Sequence, residues 1–385
     1  MSNVTEFPPR ASRKGRDSLD ALIDEALLDR TFPGIACGIW IDGHPEYLRC
    51  VGFADPALAY PDSAGSAKAG PIAMDTLFDA ASLTKPLATS LLVMKAREAG
   101  AIDIDKTAGH YLPGLQPLTA GIPLHRLLTH TSGLPAIPAI ERRFPSPSSL
   151  DRDDAISELC AIRPERSCGE AVVYSCAGYM ILGLILERVS GKLLGDLYRT
   201  EIAEPLGLPK ATFAPGIGRD GAPLFVEGAA ATEFCAWRKR RMRGQVHDES
   251  AYCLGGHSGN AGLFASLEDI FLTASMLIQE GSAGGRRFLS EKSIADLKTE
   301  KTAGLGERRS FGFRLHETGT FEGPLWGPSS FGHTGFTGTS LAIAPEQKML
   351  AIVLTNRVYY GRNETMQKMA DFRVAFHSRA FENFA

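Results

Sequence analysis

A serine and a lysine three residues apart are the first candidates for chemistry: Ser82 and Lys85 in Phe78-Asp79-Ala80-Ala81-Ser82-Leu83-Thr84-Lys85-Pro86-Leu87. Proline lacks an N–H and is tolerated only in the first turn of a helix, so Pro86 predicts a helix starting close to Ser82. Leu87, Leu91 and Met94 then continue at helical spacing into a core. Positions i and i+3 share a helix face, which puts Lys85 within reach of the Ser82 hydroxyl. The helix start adds free N–H groups and the positive end of the dipole. A lysine so placed stabilises a serine alkoxide or, with its pKa lowered by burial, takes the serine proton. This is the only Ser-x-x-Lys in the 385 residues. Taken alone, it equally describes an N-cap serine beside an unrelated lysine.

Two later segments hold what a serine nucleophile needs. Tyr174, in Val173-Tyr174-Ser175-Cys176-Ala177-Gly178-Tyr179, offers a phenol that serves as general base when neighbouring cations hold it as phenolate. Gly332-His333-Thr334-Gly335-Phe336-Thr337-Gly338 is a glycine-rich run leading into a strand. A sheet edge there presents a backbone N–H to a developing oxyanion, with the Ser82 N–H as its natural second donor.

Taken in order, Ser82-Leu83-Thr84-Lys85, Tyr174-Ser175-Cys176 and His333-Thr334-Gly335 resemble the motifs of the serine β-lactamase and penicillin-binding-protein superfamily. The nearest branch is that of class C β-lactamases, D-alanyl-D-alanine peptidases and related esterases. Leu127-Leu128-Thr129-His130-Thr131-Ser132-Gly133-Leu134-Pro135 also resembles that branch. The resemblance implies that Ser82 attacks a carbonyl to give an acyl-enzyme, that Lys85 and Tyr174 relay the proton, and that water releases the acyl group. It further implies an oxyanion between the N–H groups of Ser82 and Phe336, with His333, Thr334, Gly335 and Cys176 along the bound substrate. Two departures bear on the substrate. Cys176 stands where the family usually has an asparagine, and a thiol is a poor substitute for its amide. His333 stands where a permanently charged lysine is common. Both point away from efficient β-lactam hydrolysis and toward a serine hydrolase acting on an ester or a D-amino-acid-containing peptide. A class C-like β-lactamase is the alternative among enzymes. A penicilloyl-binding or sensing protein that acylates without turnover is the alternative of another class.

The elements that must carry these motifs follow from pattern. A helix is expected from Ser18 to Leu28 and a strand over Gly34–Ile41, with a hairpin turn at Asp42-Gly43 and a return strand over Tyr47–Phe53. Residues 56–72 read as loop. Helices are expected over Val172–Val189 and Leu267–Gln279. Strands return at Phe311–His316, Gly338–Ala344 and Met349–Thr355, before a terminal helix from about Asn363 to Phe384. The fold class is therefore α+β: a β-lactamase-like antiparallel sheet flanked by helices, built from both chain ends (1–80 and 305–385), plus an inserted, mainly helical domain (81–304).

Composition agrees with an ordinary globular chain, 44% hydrophobic and 22% charged, with a formal net charge of −3. That balance supplies no electrostatic reason for nucleic acid or an anionic membrane as partner. No apolar run is long enough for a membrane-spanning helix, and the first ten residues lack the apolar core of a signal peptide. The expected location is cytoplasmic, or periplasmic or secreted if a leader was removed. Seven cysteines without a Cys-x-x-Cys pair read as reduced thiols rather than a zinc site, and no metal or cofactor is expected. The expected partner is a small ester, β-lactam or peptide substrate.

Other signals have bland readings. Ser258-Gly259-Asn260 reads as a glycine-rich loop near the site. Gly216-Ile217-Gly218-Arg219-Asp220-Gly221 spells a dinucleotide fingerprint without the strand and helix that it requires. The basic run Arg238-Lys239-Arg240-Arg241-Met242-Arg243 reads as a solvated loop, and His125 and His130 as structural histidines.

Overall fold

The computed structural model describes residues 13–58, 70–213 and 224–385. The fingerprint-like run at 216–221 and most of the expected 56–72 loop lie outside the described residues. Five helices matter for the site: α1 (Arg13–Leu28), α2 (Leu91–Glu98), α3 (Cys176–Ser190), α4 (Leu267–Ile278) and α5 (Met366–Phe384). Six strands form the main sheet: β1 (Gly34–Ile41), β2 (His44–Gly52), β3 (Arg314–Leu315), β4 (Phe331–Thr334), β5 (Ser340–Ala344) and β6 (Met349–Thr355). Their order is β3-β4-β5-β6-β1-β2, antiparallel throughout, so both chain ends contribute, as the sequence predicts.

Alternation sets the two faces of the sheet. Ile35, Cys37, Ile39 and Ile41 of β1 join Met349, Ala351 and Val353 of β6 in a core shared with Leu19 and Ile23 of α1 and Phe372 and Phe376 of α5. Ala36 and Trp40 face the other way, with Leu350, Ile352 and Leu354, into the larger core that fills the helical part. There Trp40 stacks on Phe271 of α4, ring centroids 4.7 Å apart. Gly38 makes room for that indole, because a Cβ at this position would come 2.4 Å from it. The hairpin turn is where the sequence places it: Asp42 and Gly43 both have positive φ, as a tight two-residue turn requires. In the helical part, Ala177 to Leu186 of α3 are buried without interruption. The helix is capped by the Ser175 hydroxyl, which accepts the Gly178 N–H at 3.3 Å, and it ends at Gly191 in the left-handed conformation.

Three expectations need correction. The segment after Ser82 is not α-helical from its start. A single 3₁₀ turn at Ala81–Leu83 is followed by a wide π turn at Lys85–Ser90, and only then by α2. Pro86 supplies the reason, since its ring and missing N–H are incompatible with a regular i−4 ladder through this turn. The strand expected over Phe311–His316 shrinks to Arg314–Leu315. The backbone before it is committed to a tight turn, with Ser310 N–H donating to Phe313 O and Gly312 N–H to Ser310 O. The basic run is not a solvated loop. Ala231–Cys235 and Arg240–Arg243 form a hairpin, and the buried Arg238 guanidinium donates to the carbonyls of Val246 and His247.

Candidate active site

The geometry begins one residue before the serine. Ala81 has φ +47°, a conformation unfavourable for a residue with a Cβ, and Asp79 holds it there by accepting the Ala81 N–H at 2.8 Å. Asp79 is buried and its other oxygen accepts the His247 N–H at 2.7 Å. Burial raises its pKa, partly offset by these hydrogen bonds. This turn projects Ser82, which is half-buried and lines a cavity of about 520 Å³ with Tyr174, His333, Thr334, Gly335 and Phe336.

Lys85 is fully buried, yet its Nζ has three partners: Ser82 Oγ at 2.9 Å, the Asn260 carbonyl at 3.1 Å and Cys176 Sγ at 3.6 Å. Burial opposes its charge most strongly, and the negative charge that Cys176, Tyr174 and Asp248 can carry acts the other way, so that the lysine pKa is raised. A raised pKa keeps Lys85 an ammonium, donating to Ser82 Oγ. The expected loop Ser258-Gly259-Asn260 contributes through its backbone. Gly259 packs so closely on α3 that a Cβ would lie 2.0 Å from the Tyr179 carbonyl, and this seats Asn260 O over Lys85.

Tyr174 precedes the α3 cap and lies among cations: Lys85 Nζ is 4.9 Å and the Arg309 guanidinium 5.3 Å from its ring centroid. Two histidines complete its surroundings. The His130 ring lies 4.4 Å from it and the His333 ring 5.9 Å, centroid to centroid. His130 Nδ1 accepts the Ser175 N–H at 3.0 Å, so the proton of the neutral ring sits on Nε2. Burial, with Arg309 and Lys85 nearby, lowers the His130 pKa well below its ordinary value. His333 is lowered in the same way, by burial first and then by Lys85 and Arg309. It is neutral, donating from Nδ1 to Thr334 O at 2.8 Å. The cleft thus lacks a cation at the position where the resemblance leads one to look for a lysine.

The loop after β4 runs against the serine turn. Thr337 Oγ1 donates to Asp79 O at 2.8 Å and Thr339 Oγ1 to Ala80 O at 3.0 Å. Gly335 is required at the contact, because a Cβ there would sit 2.7 Å from Ala80 O. The exposed Phe336 ring stacks on His247 under the Arg357 guanidinium. The opposite wall of the cavity mixes apolar and basic side chains: Met366, Ala370 and Val374 of α5 with Phe321, and Arg373 and Arg314 among them.

The structure thus brings Ser82, Lys85, Tyr174, Cys176 and the His333–Phe336 run together. Sequence reading missed Arg309, the backbone role of Asn260, and the contact of His130 with Tyr174. For His130, its place in the Leu-Leu-Thr-His-Thr-Ser-Gly run was the available signal. Among the described residues, no cluster of histidine, cysteine and carboxylate side chains suits a metal ion, and no helix is long and apolar enough to cross a membrane.

Comparison with known proteins bears on the family and the fold. Residues 19–376 match the family described as Beta-lactamase. A Salmonella enteritidis protein named "Putative D-alanyl-D-alanine carboxypeptidase" is 30% identical over 369 residues, covering 88% of this chain and 82% of that one. Two solved structures share the fold. One is described as EstCE1, a hydrolase with promiscuous acyltransferase activity (TM-score 0.71, 21% identity, 94% of this chain and 99% of that one). The other is a penicillin-binding protein homologue from Caulobacter crescentus (TM-score 0.69, 19% identity, 99% and 100%).

Proposed function

Since the chain belongs to the β-lactamase family, we propose that it is a serine hydrolase that forms an acyl-enzyme at Ser82 and acts on an ester or a D-amino-acid-containing peptide. The observation that carries this reading is the buried Lys85 ammonium donating to Ser82 Oγ at 2.9 Å with Tyr174 over the same Nζ. Lys85 stabilises the developing alkoxide, and Tyr174 is the group left to take the serine proton. For that step Tyr174 acts as the phenolate, with Lys85 Nζ and the Arg309 guanidinium the cations beside its ring, and it leaves the step as the phenol. The N–H groups of Ser82 and Phe336 receive the oxyanion, and Tyr174 returns the proton to the leaving group. Water then repeats the attack on the acyl-enzyme.

Cys176 and His333 favour the ester or peptide over a β-lactam. The Cys176 thiol is a weak acceptor toward Lys85, and the neutral His333 offers no cation to a substrate carboxylate. Met366, Ala370 and Val374 of α5 suit a substrate with an apolar substituent. The test is a panel of initial rates for p-nitrophenyl acetate, p-nitrophenyl butyrate, nitrocefin and a D-Ala-D-Ala peptide, with wild type and Ser82→Ala. Ester or peptide turnover lost in the variant is expected. Equal rates in the two proteins would remove Ser82 as nucleophile. Dominant nitrocefin cleavage would overturn the substrate assignment.

A further inference from the structure

The loop between β4 and β5 carries the Phe336 N–H, and it is fixed from three sides. The Thr337 and Thr339 hydroxyls tie it to the carbonyls of Asp79 and Ala80. The Arg357 N–H donates to Thr337 O at 2.9 Å, anchoring it to the chain after β6. The third anchor comes from α5, where Arg373 Nη2 donates to Gly335 O at 2.6 Å and to Thr339 O at 3.0 Å.

The bond to Gly335 O differs in kind from the others. The Gly335 carbonyl and the Phe336 N–H belong to one planar peptide unit, so whatever fixes the carbonyl fixes the direction of the N–H. A charged donor on that carbonyl also polarises the unit and makes its N–H a stronger donor in turn. The guanidinium is not neutralised by a carboxylate: among the described residues Arg373 makes no ion pair, and its Nε is buried without a partner. Burial, with Arg357 nearby, lowers its pKa to about 9. A helix that needed only solubility or a surface ion pair would not hold a cation here.

Resting on the serine-hydrolase reading above, we infer that Arg373 is a positioning residue that acts through the Gly335–Phe336 peptide to orient and strengthen the oxyanion donor. Arg373 lines the same cavity as Ser82, but its hydrogen bonds go to the Gly335 and Thr339 carbonyls rather than to the serine. Its effect is felt when negative charge develops on the carbonyl oxygen, so kcat depends on it and KM does not.

The test compares the full chain with Arg373→Ala, Arg373→Lys and Ser82→Ala. Three quantities are measured: kcat and KM for p-nitrophenyl butyrate, the inhibition constant of an arylboronic acid that forms a tetrahedral adduct with serine, and rescue by guanidinium chloride against equal sodium chloride. Loss of a whole oxyanion donor costs about 10²–10³ in kcat, and since the donor here remains but is misdirected, a loss of about 10- to 100-fold is expected for Arg373→Ala. KM is expected to stay within about threefold, and boronate affinity to fall in parallel with kcat. Low guanidinium is expected to restore part of the Arg373→Ala rate, and Arg373→Lys to lie between alanine and wild type. Should the alanine variant fail to fold, the lysine variant carries the same comparison. Unchanged kcat in the folded variants overturns the inference, as does a rise in KM with kcat and boronate affinity intact. If Ser82→Ala is dead while Arg373→Ala is unimpaired, only this inference falls. If Ser82→Ala remains active, the serine reading falls and takes this one with it.

Discussion

Replacing Lys85 by methionine separates what the buried ammonium does for activity from what it does for stability. Methionine keeps most of the volume and removes the charge. On the activity side, the variant loses the charge-assisted bond to Ser82 Oγ at 2.9 Å and the cation 4.9 Å from the Tyr174 ring. A hydrogen bond to a charged group contributes about 1.5–3 kcal/mol and a desolvated cation over an aromatic ring about 2, together about 4 kcal/mol, or about 10³-fold in kcat/KM. On the stability side two effects oppose each other. Exchanging a buried ion for an apolar side chain of similar volume is neutral or stabilising by about 1–4 kcal/mol. The Asn260 carbonyl, bonded to Nζ at 3.1 Å, loses its partner, at a cost of about 1–3 kcal/mol. These nearly cancel, so Lys85→Met is expected to melt close to wild type while losing about 10³ in kcat/KM. The assay is p-nitrophenyl butyrate hydrolysis beside a thermal melt followed by circular dichroism. A folded variant retaining kcat/KM within about tenfold of wild type would refute the reasoning.

Three further outcomes are expected. Cys176→Asn gives Lys85 an amide oxygen in place of a sulfur at 3.6 Å and is expected to raise nitrocefin turnover; an unchanged rate would count against this role for the position. Gly259→Ala drives a Cβ into the Tyr179 carbonyl and moves Asn260 off Lys85, so it is expected to lower both melting temperature and activity; a variant with wild-type values of both would contradict the packing. Glu233 bonds His247 and Arg362, and although burial works against its charge these partners hold its pKa at about 2. A folded-state pKa below the unfolded value gives stability that is full above about pH 4.5 and disappears as pH falls through about 2, on the order of 2–3 kcal/mol for this shift. Glu233→Gln is therefore expected to flatten the loss of stability across that window, read from urea unfolding at stepped pH; an unaltered slope would contradict the pairing.

What the sequence makes legible depends on which atoms carry the information. Gly34–Ile41 and Met349–Thr355 are readable as strands because both faces of these central strands are buried, leaving apolar runs bounded by turn residues. Asp42-Gly43 is readable because few residue pairs tolerate two positive φ values. Ser82, Lys85 and Tyr174 are readable because what distinguishes them is the type of side chain, which the sequence spells directly. Ala81 at φ +47° is not, since alanine carries no signal for a left-handed turn and the conformation is imposed by Asp79 and the packing around it. Nor is Asn260, which acts through a carbonyl that every residue possesses. Arg238 reads as solvated by charge alone, and only the fold reveals the carbonyls that its guanidinium caps. Arg373 meets the Gly335 loop across a long separation in the chain that no local pattern encodes.

The most direct test of the central claim is intact mass spectrometry of the protein mixed with p-nitrophenyl acetate and quenched in acid within the first turnovers. One added acetyl group is expected, mapping to the peptide that holds Ser82, absent from Ser82→Ala and decaying as hydrolysis proceeds. An adduct that persists would indicate acylation without turnover and favour a sensing protein. Hydrolysis with no adduct at Ser82, or with the acetyl group on another residue, would contradict the account.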